Sequence, residues 1–171
     1  MKYFLIFVVS LICMAEAMGQ QASDQDFPTQ LRRIIASAVT NFSSLKSGQP
    51  IETKTGIQFQ SKLDIKDTQF SFIAISNKGE SDSYVISINP SLAKAESLRL
   101  NTFWDNELKT ALGPTAVRDC HVVDIDDSMS ADQCDFEVFK KGYSVVVSLI
   151  QKPVSGSGAY SVEIRVMKKS I

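Results

Sequence analysis

Two stretches of the chain alternate apolar and polar residues at every second position, and each follows a stripe of apolar residues at helical spacing. A period of two sends successive side chains to opposite faces of a strand, whereas steps of three and four line one face of a helix. In the first stretch Ile57, Phe59, Leu63 and Ile65 alternate, followed by "FSFIAIS" at 70–76 and then Tyr84, Ile86 and Ile88. This predicts three strands parted by turns at "KDT" and "NKGESD". The second stretch predicts strands over 115–125, 134–139, 143–150 and 160–167, with "KPVSGSG" as a hairpin connection.

The first helical stripe is Phe27, Leu31, Ile34, Ile35, Ala38, Phe42 and Leu45, with Asp24 or Asp26 as cap, Pro28 in the first turn and Gly48 beyond the end. The second is Leu100, Phe103, Trp104, Leu108, Ala111 and Leu112, stopped by Gly113 and Pro114. Strands in runs, divided by a helix, imply an α+β fold: an antiparallel sheet with two helices packed on one face. Polar residues between the apolar ones leave the other face to water or a partner. The order of helix then strands occurs twice, about 24–88 and 90–167. Short strings also recur roughly 60 to 65 positions apart, "KLDI" with "VVDI" and "SYVISI" with "SVVVSLI", as a tandem repeat would show.

The amino terminus, "MKYFLIFVVSLICMAEAMGQQ", has one lysine, an apolar run from Tyr3 to about Met14, and small residues at Ala15, Ala17 and Gly19. That is the plan of a secretory signal peptide over residues 1–19, cleaved after Ala17 or Gly19. The run falls short of the roughly 20 residues a membrane helix needs. Ile12 before Cys13 occupies a place where lipid attachment requires a small residue. Removing 19 of 171 residues leaves 152, enough for a single domain over 20–171. A net charge of −1 with scattered lysines and arginines provides no footprint for nucleic acid. Periplasmic or secreted localisation follows, with no integral membrane association.

The segment "DFPTQLRRIIASAVTNFSSLKSG" resembles a loose group of small exported proteins of Gram-negative bacteria. In these a similar helix ends in Phe-x-x-Leu-Lys-x-Gly, here Phe42 to Gly48, and leads into hairpins. The repeated order of helix and strands is similar to the architecture of bacterial β-lactamase inhibitor proteins. The first likeness covers about 25 residues and implies no activity; the second implies a protein-binding sheet face, by analogy of architecture alone.

The richest chemistry lies in "DCHVVDIDDSMSADQC", residues 119–134. Cys120 and Cys134 are the only cysteines beyond the leader, and an even pair in an exported chain predicts a structural disulfide. If they face each other across a hairpin, Val122 falls opposite Asp132 and the chain turns near Asp127. Closing a 15-residue loop is worth roughly 3 kcal/mol in the chain-entropy model. A redox role would favour Cys-x-x-Cys spacing and cationic neighbours, whereas Asp119 and Asp135 flank these sulfurs. His121 is adjacent to Cys120, but successive strand residues point apart, so no cysteine–histidine dyad is expected.

Asp124, Asp126, Ser128, Ser130, Asp132 and Asp135 match positions 1, 3, 5, 7, 9 and 12 of a calcium loop. Met129 stands where that loop needs glycine, Asp135 is shorter than the usual glutamate, and strands flank it; a solvated acidic turn is expected. No serine-nucleophile motif appears, and "GSG" at 156–158 lacks a strand-to-helix setting. Asp64 with Asp67 and Glu80 with Asp82 flank turns, while Trp104, Phe103 and Phe42 fit a core. We expect no catalytic residue, no metal and no cofactor. The resulting expectation is an exported, non-catalytic module that binds an unknown protein through a sheet face. The alternatives are a periplasmic protein that binds a small ligand between sheet and helices, or a metal-dependent enzyme using Asp124, Asp126 or His121.

Overall fold

A computed structural model of the protein describes residues 26–77, 81–126 and 129–170. The leader expected at 1–19, Cys13, Glu80, Asp127 and Ser128 lie outside them. The architecture is α+β: an eight-stranded antiparallel sheet with two α-helices against one face. Helix α1 spans Phe27–Ser37, followed by strands β1 (Lys46–Thr53), β2 (Gly56–Ser61), β3 (Phe70–Ser76) and β4 (Ser83–Leu92). Helix α2 spans Lys94–Leu112, followed by β5 (Val117–Asp126), β6 (Met129–Lys140), β7 (Tyr143–Pro153) and β8 (Tyr160–Ser170). The sheet order is β1-β2-β3-β4-β8-β7-β6-β5, so the last strand of each series meets the other at the centre.

Asp26 caps α1: its Oδ1 accepts the Thr29 N–H at 2.9 Å, with Pro28 in the first turn, where a missing donor costs nothing. The helix ends sooner than its apolar stripe implies. After Ser37 come two 3₁₀ turns, Ala38–Thr40 and Ser43–Leu45, joined by Asn41 and Phe42 at φ 51° and 57°. Left-handed backbone costs a phenylalanine roughly 1–2 kcal/mol. Complete burial of the ring, worth about 1.5–3 kcal/mol, offsets it. Phe42 and Leu45 thus stay in the core without belonging to the helix, and Gly48 lies within β1 rather than past a helix end.

Two further corrections concern Leu63 and Ile65, which are not on a strand. β2 ends at Ser61, and residues 62–69 form a loop that lays Ile65 onto the core, where it is 2% exposed. The loop is tied down by Tyr84, whose hydroxyl donates to Ser71 Oγ at 3.1 Å and shares a 2.5 Å hydrogen bond with Ser61 Oγ. Ser61 Oγ accepts the Leu63 N–H, Ser71 Oγ donates to the Leu63 carbonyl, and Gln30 Nε2 donates to that of Asp64. Hence "KLDI" occupies a loop while "VVDI" lies on β5. Likewise "SYVISI" begins β4, fourth of its series, whereas its match begins β7, third of its own.

The core lies between helices and sheet. Tyr84 and Ile86 of β4, Ile164 and Val166 of β8, and Val145 and Val147 of β7 are fully buried beneath Leu31, Ile34 and Leu108. Trp104 packs edge-on against Phe27 with ring centroids 4.8 Å apart. Phe103 departs from the expected stripe: it is 49% exposed, because α2 buries the narrower line Ser97, Trp104, Leu108 and Ala111. Ser97 takes its buried place by accepting a hydrogen bond from Gln151 Nε2 at 2.7 Å. No helix among the described residues is long and apolar enough to cross a membrane.

Candidate functional site

Strand register defines the face that the helices leave uncovered. One row of directly paired residues crosses the sheet as Gln60, Phe72, Val85, Arg165, Ser148, Asp135 and Asp119. A neighbouring row runs Phe70, Ser87, Glu163, Ile150, Gln133 and His121. No described element packs over these rows. Val85, Ser87, Ser148 and Ile150 are nonetheless buried, because short side chains at the middle of the sheet stand among longer ones such as Phe72, Arg165 and Glu163.

Two concavities share Phe72 and Val85. One, of about 460 Å³, is bounded also by Gly56, Gln58, Arg165 and Met167. The other, of about 360 Å³, is bounded by Phe70, Ser87, Lys152 and Glu163. Gly56 is required at the first: at φ 147° a Cβ there would stand 1.9 Å from the Ile75 carbonyl oxygen. Between the two, Glu163 binds Lys152 Nζ at 3.0 Å with one carboxylate oxygen and Arg165 Nη2 at 2.9 Å with the other. Arg165 Nε and Ser148 Oγ, paired across β8 and β7, are buried without a hydrogen-bonding partner. Toward β6, the Ser144 hydroxyl donates to Glu137 at 2.5 Å, which together with Lys169 holds that carboxyl below its usual range.

The residues singled out from sequence lie along the β5–β6 edge. Cys120 and Cys134 form a disulfide, directly opposed with Cα atoms 4.1 Å apart, and Val122 pairs with Asp132. Cys134 packs against the core on the helix side. His121 projects to the other face, its Nδ1 3.7 Å from Asp119 and its Nε2 4.0 Å from Asp135, so cysteine and histidine point apart.

The acidic residues divide between the two faces: Asp132 pairs with Val122 beside the disulfide, and Asp135 shares the His121 side. Asp124 Oδ1 accepts the Ser130 hydroxyl at 3.1 Å. The Asp126 side chain and Ser128 are outside the described residues, among which no three His, Cys, Asp or Glu side chains gather to hold a metal ion. Asp67 sits in a turn at φ 63°, and "GSG" turns between β7 and β8.

The sequence pointed to a sheet face and to the loop residues, but not to the residues that form that face. The missed signal is apolar residues on both sides of one strand: Phe70, Phe72 and Ala74 against Ile73 and Ile75 in β3, Val146 and Ile150 against Val145, Val147 and Leu149 in β7. A strand with one solvated face alternates cleanly, and these do not. No protein-family model matches the chain, and no curated protein matches it in sequence.

Proposed function

We propose that this protein is an exported, non-catalytic binding module that takes a protein partner on the uncovered face of its sheet. The observation that carries the reading is the row Phe72, Val85 and Arg165, set between two concavities at mid-sheet with no described element above it. Arginine is among the residues enriched at binding hot spots, and Arg165 stands here in one row with the aromatic ring of Phe72. The Ser148 hydroxyl, buried without a hydrogen-bonding partner next to Arg165 in the same row, supports it further. The resemblance in element order to β-lactamase inhibitor proteins points the same way, by architecture alone. The middle of the space between helices and sheet, by contrast, is filled by Phe42, Trp104 and Leu108, and the concavity of about 380 Å³ that remains between α2 and β4 lies at its margin, beside the exposed Phe103.

Export is supported by the leader-like first 19 residues and by the formed disulfide. Amino-terminal sequencing of envelope protein should find a chain starting at Met18 or Gln20. For the face, a photo-crosslinking residue is placed at Phe72 or Met167, and in a control at Asn106 on α2, in the living host. Discrete adducts from the two sheet positions and none from the control are expected, and Arg165→Glu should diminish them. Adducts from the control alone, or from none of the three, would refute the proposal.

A further inference from the structure

The two edges of the sheet are built differently. β1 contains Gly48 and Pro50, and its register with β2 shifts between Ser47 and Ile51, features that spoil an edge for further pairing. β5 has no proline, glycine or lysine, and is paired along one side only, by β6. From Val117 to Ile125 every residue but Val123 is exposed, including Val117 at 57%, Val122 at 65% and Ile125 at 46%. The 4.1 Å Cα separation of Cys120 and Cys134 is that of a non-hydrogen-bonded antiparallel pair. The N–H and C=O groups of Cys120 therefore point away from β6, and by the strand period so do those of Arg118, Val122 and Asp124.

We propose that this edge pairs with the same edge of a second copy, antiparallel about a two-fold axis through His121 and normal to the sheet. In that register β5 is complementary to its own reverse at three of its pairs, while Asp119 stands opposite the partner's Val123. Arg118 stands opposite the partner's Asp124, Val117 opposite the partner's Ile125, and Cys120 opposite the partner's Val122. The symmetry makes each contact twice. Four outward-facing pairs supply about eight main-chain hydrogen bonds.

Sliding by one pair in one direction sets Arg118 against Val122. Sliding the other way sets Cys120 against Asp124 and Arg118 against Asp126, which lies past the point where the β5–β6 register shifts. Of these registers, the one that opposes Arg118 to Asp124 is the one that makes its charge pairs on the regularly paired part of the strand. Arg118 remains able to serve: Asp105 occupies its Nε and one terminal nitrogen, and a guanidinium has five donors. The axis keeps both uncovered faces on one side of a continuous sixteen-stranded sheet. This inference does not rest on what that face binds.

Sedimentation velocity of the disulfide-bonded protein from about 1 to 100 µM tests it, because a dimer responds to protomer concentration. Concentration-dependent doubling of mass is expected. Val122→Pro removes an outward N–H without touching the β6 ladder and should give a monomer. Arg118→Asp and Asp124→Arg each oppose like charges twice, and each alone should dimerise roughly tenfold more weakly or worse. An equal mixture of the two should regain the wild-type dimer, since each then carries the complement of the other. Should Arg118→Asp not fold for want of its contact with Asp105, Asp124→Arg and Val122→Pro carry the test. A wild-type monomer across the range, a dimer indifferent to Val122→Pro, or a mixture of folded variants that stays monomeric would overturn the proposal.

Discussion

Replacing both cysteines, Cys120→Ala with Cys134→Ala, separates the scaffold role of the disulfide from any role in function. In the folded protein the β5–β6 hairpin is held by nine register pairs from Val117 to Asp126, so the bond is not what aligns its strands. Its removal should leave the native fold intact and act by releasing the unfolded chain. Closing the loop between residues 14 apart accounts for about 3 kcal/mol. For a domain of this size that corresponds to a fall in Tm of about 6–12 °C.

Trp104 is the only tryptophan and is 3% exposed, so its fluorescence during urea unfolding reports the core directly. The midpoint should move to lower urea while the folded far-ultraviolet dichroism is unchanged. A loss below about 0.5 kcal/mol would refute the loop-closure argument. Loss of the native dichroism in water would instead show that the bond holds a strand pair that the ladder cannot.

Three other perturbations probe the packing. Burial raises the Tyr84 phenol above its ordinary value of 10.0, an effect partly offset by its bonds to Ser61 and Ser71. The fold thereby favours the neutral form, so this contribution is whole below about pH 10 and is lost as pH climbs toward the raised value. Tyr84→Phe should cost about 1 kcal/mol at neutral pH and flatten the alkaline fall in stability, as measured by urea unfolding at pH 7 to 11. Trp104→Ala should cost about 3–5 kcal/mol, whereas Trp104→Phe should cost much less, because the indole N–H has no partner to lose; thermal unfolding followed by dichroism compares them. Gly56→Ala should destabilise by about 1–3 kcal/mol, since its Cβ meets the Ile75 carbonyl; a smaller loss in the same assay would show that β2 can shift.

The legible parts of the fold are those whose cause is local. "FSFIAIS" matches β3 at both ends, and α2 stops at Gly113, whose φ of 72° suits a residue without Cβ. The cysteine spacing placed Val122 opposite Asp132, as the ladder has it, because a hairpin's register follows from its turn. β1 was illegible: "KSGQPIET" has neither alternation nor a hydrophobic run, and it is a strand because β2 pairs with it. The end of α1 was masked by Phe42 and Leu45, which keep helical spacing although the backbone has left the helix. Leu63 and Ile65 looked like strand residues because a loop folded onto a core needs apolar side chains as much as a strand does.

The candidate site divides along the same line. Apolar spacing and two cysteines by themselves determined that this chain is α+β with a stapled hairpin, since each rests on the covalent order of near neighbours. That Val85 lies beside Arg165, and Arg165 beside Ser148, was decided only when β4 paired with β8 and β8 with β7. Both helices gathered on one side, and the other side became a surface. Which strands meet, and which face stays uncovered, depends on the burial free energy of the whole core, and no window of local sequence contains that sum.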